Sequence, residues 1–453
     1  MKPGNNIVKL LYPLVLLAFA ACVEEIPIET DSEAIRQAGK ALVVEATLTD
    51  SVRTQAVVLS RVADFANDSI VAFDIEDPST YLYPVEELGE RPVLYESGAQ
   101  VQVEDDAGQT YSFVEGEPGR YFSAVPFGAV SGRSYQLQIV LKNGEQITSE
   151  FEALTGTAVL SNLQARRVTD PVLGDGIGFY VDSGSNAGAA YLRYNFEETF
   201  KVVAPIWNPE DFRLSNYDPC ADPVEYTLEI VSRQEEEQVC YRTELSDAIV
   251  LASTEGLAGN EIRDFRVHFI SRNDFKIGHR YSILVKQHAE NLGSYLFYDR
   301  LRNFSAQGNV FSQVQPGFLQ GNLRAENSPE LMVIGYFSVS SAVQQRLFLN
   351  FEEYFPGEPE PPFVVPCAYR SSLESHATRC PKVPVQGGPA CPLSVIELLD
   401  LGRLITYAGP FDASFFPNAT SPTCPGPHMY VPRVCGDCTV LGSNVPPEFW
   451  IEN

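Results

Sequence analysis

Ser134-Tyr135-Gln136-Leu137-Gln138-Ile139-Val140-Leu141, followed by Lys142-Asn143-Gly144, is the stretch whose reading decides the fold. Tyr135, Leu137, Ile139 and Leu141 fall on one face, and Gln136, Gln138 and Val140 on the other. Period-two alternation marks a strand with one side buried. Asn143-Gly144 supplies a tight hairpin turn, since both positions tolerate positive φ, and Ile147 and Phe151 are expected on the return strand. The same alternation recurs upstream. Ala99, Val101 and Val103 oppose Gln100, Gln102 and Glu104, and Val44, Ala46 and Leu48 oppose Glu45 and Thr47. Asp106-Ala107-Gly108 and Pro118-Gly119 read as turns. Residues 41–155 are therefore expected to form a β-sandwich.

Residues 156–365 continue in the same idiom, as a second and larger β-rich domain. Candidate strands are Gly178–Val181, Ala190–Tyr194, Tyr226–Val231, Tyr281–Val285, Leu331–Val339 and Arg346–Phe351. One convincing helix interrupts them, from about Ala289 to Phe304. Leu292, Tyr295, Leu296, Tyr298 and Leu301 recur there at helical spacing, and this stripe is expected to pack on a sheet. Glu353–Pro366 is proline-rich and expected to be extended. Residues 366–453 hold many prolines and glycines and six cysteines, a composition that needs crosslinks to hold it. Phe449 and Trp450 are placed to dock back onto a preceding domain. The expected class is mainly β.

The first residues are of another kind. Lys2 and Lys9 precede the apolar run Leu10–Ala21, which ends at Cys22. A basic end, a short apolar core and small residues before a cut point make a secretory signal peptide. The run is shorter than the roughly 20 residues a spanning helix needs. A cysteine directly after Ala20-Ala21 resembles a bacterial lipobox, with Phe19 where that pattern prefers Leu. The resemblance implies cleavage of residues 1–21 and acylation of the Cys22 thiol, with palmitate among the acyl groups. Several acyl chains hold a protein stably to a membrane. Residues 22–40 then form a tether. Its Glu24-Glu25 pair resembles the signal that sends such lipoproteins to the outer face of the outer membrane.

The chain has 453 residues, a net charge of −27 and nine cysteines. Such acidity argues against nucleic acid as a partner, which it would repel. Beyond Cys22 there remain Cys220, Cys240, Cys367, Cys380, Cys391, Cys424, Cys435 and Cys438, an even set that fits disulfides in an oxidising compartment. Eight cysteines allow 105 pairings. Cys220 and Cys240 bracket a hairpin, and a bridge between them would contribute roughly 3 kcal/mol. Zinc on Cys424, His428, Cys435 and Cys438 is the sharpest rival, but only one CxxC is present, so no metal and no cofactor are expected.

The sandwich resembles an immunoglobulin-like or prealbumin-like module. As a whole the chain resembles the Bacteroidota lipoproteins grouped as domain of unknown function 4249. The resemblance rests on order: the lipobox, Leu42-Val43-Val44-Glu45, Ala99–Val103, Asp106-Ala107-Gly108, Pro118-Gly119-Arg120-Tyr121, Tyr281–Val285, the aromatic helix, Gly321-Asn322, Ile334-Gly335-Tyr336-Phe337-Ser338, Cys435-Gly436-Asp437-Cys438 and Pro447-Glu448-Phe449-Trp450. The helix has Phe297-Tyr298 where the family shows Tyr-Trp. Such members resemble surface lipoproteins that accompany TonB-dependent outer-membrane barrels, and the family brings no established catalytic residues.

The expected role is thus binding, without catalysis, as an accessory to a TonB-dependent transporter. Residues 62–97 form a long insertion whose Tyr81, Tyr83 and Tyr95 are the candidate binding contacts, since long loops on a rigid sandwich tend to carry them. The rivals are a structural subunit of an envelope assembly and a surface hydrolase acting on glycans or peptides. No G-x-S-x-G, H-E-x-x-H or P-loop is present. The five histidines are scattered, and His268 reads as a packed core residue.

Overall fold

The computed structural model describes residues 41–61, 93–186, 190–257, 261–306, 319, 321–376, 393–402, 404–416 and 426–452. The signal peptide, Cys22, the tether, Tyr81, Tyr83, Cys380, Cys391 and Cys424 lie outside the described residues. The first region carries β1 (Leu42–Thr49), β2 (Ala56–Arg61), β3 (Leu94–Tyr95), β4 (Gln100–Asp105), β5 (Thr110–Glu115), β6 (Arg120–Ser123), β7 (Ser134–Val140), β8 (Gln146–Ser149) and β9 (Glu152–Ala153). The alternating apolar residues turn inward as expected: Val101, Val103, Tyr135, Leu137, Ile139 and Leu141 are all buried with Val44, Ala46 and Leu48 in one core. Gly144 has φ of 90°, the left-handed value that the β7–β8 turn requires. The return strand stops at Ser149, however, and Phe151 is 52% exposed.

The second region carries β10 (Thr157–Asp170), β11 (Gly174–Asn186), β12 (Tyr191–Val203), β13 (Glu210–Asp218), β14 (Glu225–Ser232), β15 (Val239–Leu245), β16 (Val250–Ser253), β17 (Glu261–Ser271), β18 (Arg280–Glu290), helix α1 (Leu292–Ala306), β19 (Leu323–Ala325) and β20 (Val333–Asn350). The helix starts later than its pattern predicts. Ala289 and Glu290 are still strand, pairing with β12, and the Asn291 side chain accepts from Ser294 N at 2.7 Å, an N-cap that fixes the start. Its stripe is also rotated. Ser294 and Phe297 are buried, whereas Leu292 and Leu296 are 49% and 40% exposed.

β20 joins the two regions. The sequence pattern predicts two strands here, and the structure has one of 18 residues. Ser338, Ser340 and Ser341 are buried within the strand, with partners in Thr47, His288 and Asp50 respectively. The first half of β20 runs parallel to β1 and feeds Val333, Phe337 and Val339 to the first core. The second half pairs antiparallel with β18 and feeds Leu349 to another core. Gly335, at φ of 151°, is required at this junction, because a Cβ there would come within 2.2 Å of the Val44 carbonyl oxygen. One continuous sheet results, ordered β15-β12-β18-β20-β1-β2-β6-β5-β4-β7-β8-β19.

Against β12, β18 and the end of β20 packs a separate sheet, β10-β11-β17, burying Phe179, Tyr194, Phe200 and Tyr281. The remaining elements are the helical turn α2 (Phe351–Tyr354), α3 (Val395–Asp400), β21 (Ile405–Pro410), β22 (His428–Pro432) and α4 (Arg433–Gly436). The tail is crosslinked, but not as a hairpin bridge. Cys240 pairs with Cys438 and Cys367 with Cys435, so the expected Cys220–Cys240 bond does not form. Cys220 is disulfide-bonded as well. The Cys435-Gly436-Asp437-Cys438 motif therefore serves two different bridges, which removes both thiols from zinc binding or dithiol chemistry.

Candidate binding cleft

A cleft of about 400 Å³ opens where the ends of β12, β18 and β20 meet the tail. Its floor is Lys201 and Val203 from β12, Arg280 from β18 and Asn350 from β20; Gly278, His279, Glu352, Glu360 and Glu452 form the rim. A lobe of about 200 Å³ continues it under Phe275, Pro361 and Phe363.

Three local devices place these groups. First, the turn Phe275–Ile277 is capped by the Asp274 carboxylate, which accepts from Lys276 N at 3.0 Å, so the chain enters β18 at a fixed angle. Second, the proline-rich stretch is not extended throughout: Glu353 and Tyr354 end the helical turn α2 and a turn at Pro356-Gly357 follows, after which the irregular chain is pinned by two arginines. Arg272 donates to Glu358 at 2.8 Å and to the Pro359 carbonyl at 3.0 Å, and Arg167 donates to Glu358 at 2.7 Å. These two guanidiniums hold the Glu358 carboxyl below the usual range. Third, the tail docks as the sequence suggests. The Arg346 guanidinium lies 3.5 Å above the Phe449 ring, and Trp450 meets Tyr241 and Phe348 edge to face at 5.1 and 5.7 Å.

Docking brings Glu452 over the floor. It accepts from Lys201 Nζ at 3.2 and 3.3 Å, from Tyr241 Oη at 2.8 Å and from Trp450 Nε1 at 3.1 Å. Burial raises the Glu452 carboxyl, but these donors outweigh it and leave it below the usual range. The tyrosine responds in the opposite sense: burial and the adjacent carboxylate push Tyr241 up to about 12. His279 stands 3.9 Å from Glu360. Burial lowers its pKa, and the opposing pull of Glu360 does not restore it, so the ring is neutral near pH 7.

The turn that shapes the rim also sends Lys276 inward, to a buried carboxylate. Glu198 on β12 accepts from Tyr281 Oη at 2.7 Å, His268 Nε2 lies 3.2 Å away and Lys276 Nζ 3.4 Å. His268 itself packs against Phe179 and Phe196, as the sequence reading had it, with ring centroids 5.6 and 4.2 Å away. Burial alone would raise the Glu198 carboxyl, yet His268, Tyr281 and Lys276 hold it at about 2. A carboxyl depressed on folding contributes stability above its unfolded pKa and loses it as pH falls through the folded one. The expected result is a loss of about 3 kcal/mol between roughly pH 4.5 and pH 2. Acid unfolding of Glu198→Gln should lack that component, and an unchanged acid transition would count against it.

Of the sequence-predicted contacts Tyr81, Tyr83 and Tyr95, only Tyr95 lies within the described residues. Tyr95 pairs with Ser60 in β3–β2, is 44% exposed and does not line the cleft. Among the cleft residues Asn350 and Phe351 fell in the candidate strand Arg346–Phe351 and Glu360 in the proline-rich stretch, each singled out for its backbone and not as a contact. The signal for Arg280 was present: an arginine opening the largely apolar Tyr281–Val285 strand. Among the described residues no group of three or more His, Cys, Asp or Glu side chains is arranged to hold a metal ion.

A model of the family described as "Domain of unknown function (DUF4249)" matches residues 23–346, well over half the chain. No curated protein matches it.

Proposed function

The chain belongs to the DUF4249 family, and from that membership we propose that it is a lipid-anchored, non-enzymatic binding protein of the outer cell surface, accessory to a TonB-dependent outer-membrane barrel. Anchorage would come from Cys22, behind its lipobox-like sequence. Among the described residues no helix is long and apolar enough to cross a membrane. The tail's disulfides fit a body that works in an oxidising compartment.

The observation that carries the binding reading is the cleft. It is a preformed concavity of a size that holds small ligands, lined by few but convergent polar groups. Among the described residues its lining includes no serine, threonine or cysteine.

Affinity purification of the tagged chain from detergent-solubilised outer membranes, with mass spectrometry, tests the partnership. Co-recovery of a TonB-dependent barrel in near-stoichiometric yield is expected. Recovery of the chain alone, or absence of palmitate label on it, would overturn the reading.

A further inference from the structure

Arg280 is 7% exposed, and among the described residues no carboxylate lies within ion-pair distance of it. Among the described residues its one side-chain hydrogen bond is from Nη1 to Asn350 Oδ1 at 3.1 Å, and its Nε is buried without an acceptor. The Phe348 ring, 4.9 Å from the guanidinium carbon, supports it but accepts no hydrogen bond. The contrast is Arg193, as deeply buried, which has the Glu290 carboxylate at 2.7 Å. A buried cation without a counter-charge, and a buried N–H without an acceptor, are both costly. A bound carboxylate would relieve both, because the guanidinium fork matches its two oxygens.

The rim has the complementary imbalance. Lys201 is taken up by Glu452. Among the described residues Glu360's one ion-pair neighbour is His279 at 3.9 Å, whose positive form burial disfavours. Glu352 accepts from Gly357 N at 2.9 Å and has no cation partner among the described residues. The cleft therefore offers one uncompensated positive charge at its floor and two uncompensated negative charges at its mouth.

We propose that this cleft binds a small zwitterion, a free amino acid or short peptide, with its carboxylate on Arg280 and its ammonium group toward Glu352 and Glu360. A volume of about 400 Å³ lies at the small end of ligand sites, which suits one to three residues. This ligand class rests on the binding reading above.

Calorimetric titration of the purified chain, residues 23–453, provides the test. The probes are trialanine, its C-terminal amide, its N-acetyl derivative and a mixture of the twenty free amino acids. Trialanine or the mixture is expected to bind. The amide and the N-acetyl derivative should each bind trialanine's site at least tenfold more weakly. Arg280→Gln should cost at least tenfold for every zwitterion. Glu360→Gln keeps the proposal falsifiable if the buried variant does not fold, because that side chain is 64% exposed. It should weaken trialanine severalfold and leave the N-acetyl derivative unchanged. Equal binding of trialanine and its blocked forms, indifference to Arg280→Gln in folded protein, or no binding of any zwitterion would overturn the assignment. No barrel is present in the titration, so its failure leaves the transporter partnership standing, and failure of the purification leaves the ligand class standing.

Discussion

Alanine at both Cys240 and Cys438 is expected to lower the stability of the folded chain by about 5 kcal/mol, from a loop of 198 residues on the chain-entropy account. Few single bonds in the chain should matter more. Both cysteines are fully buried in the core under β10-β11-β17, beside Val434 and Leu441. Around them the tail is stitched to the edge of the sheet. Tyr241 and Ser443 exchange backbone hydrogen bonds at 2.8 and 2.9 Å, and Cys438 N donates to the Glu237 carbonyl at 2.8 Å. The Cys367–Cys435 bridge closes a shorter stretch of 68 residues and should contribute about 4 kcal/mol. Urea unfolding of the two double-alanine variants against the oxidised chain checks both values, and the order between them. The same substitution should also loosen Glu452 over the cleft, because the tail's path to Trp450 starts at this crosslink. Midpoints within error of the parent would show that packing alone holds the tail.

Local patterns in the sequence were legible where one physical rule decides the outcome. Val101, Val103, Tyr135, Leu137 and Ile139 bury because a pleated strand has two faces and water lies on one. The Asn143-Gly144 turn closes because Gly144 takes the left-handed φ of 90°. What was not legible is whatever the chain completes at long range. The parallel pairing of β1 with β20 joins residues almost three hundred positions apart, and nothing near Val44 announces Gly335. The break expected between Val339 and Arg346 does not occur, because the polar residues there stay in the strand and their hydroxyls find partners on β1 and β18. The rotated face of α1 has the same origin. Its apolar stripe is real, but the sheet beneath supplies charge, and Tyr298 turns to that charge.

Arg193 and Glu290 are that charge, and replacing Glu290 by Gln is expected to destabilise the chain by about 3–5 kcal/mol. The pair is buried at 6% and 1% exposure, with Arg193 Nε 2.8 Å and Nη2 2.7 Å from Glu290 Oε1. Each remaining valence is filled from a different element. Ser294 on α1 donates to Glu290 Oε2 at 2.9 Å, Asn195 on β12 accepts from Arg193 Nη1 at 2.7 Å, and Thr47 on β1 accepts from Nη2 at 3.3 Å. The Tyr298 ring lies 4.4 Å from the guanidinium carbon. The pair thus locks helix, sheet and the first region together where β20 passes from one core to the other. Glu290→Gln keeps the shape but strands the guanidinium, because an amide carries no charge to offset it. Removing both charges tells specificity from stability. Arg193→Met with Glu290→Met leaves no uncompensated ion and should recover most of the loss, since apolar replacements of a buried pair often match it. A double-mutant cycle by urea unfolding gives the coupling. If the single and double variants are equally unstable, packing and the surrounding hydrogen bonds hold this junction, and the ion pair contributes nothing of its own.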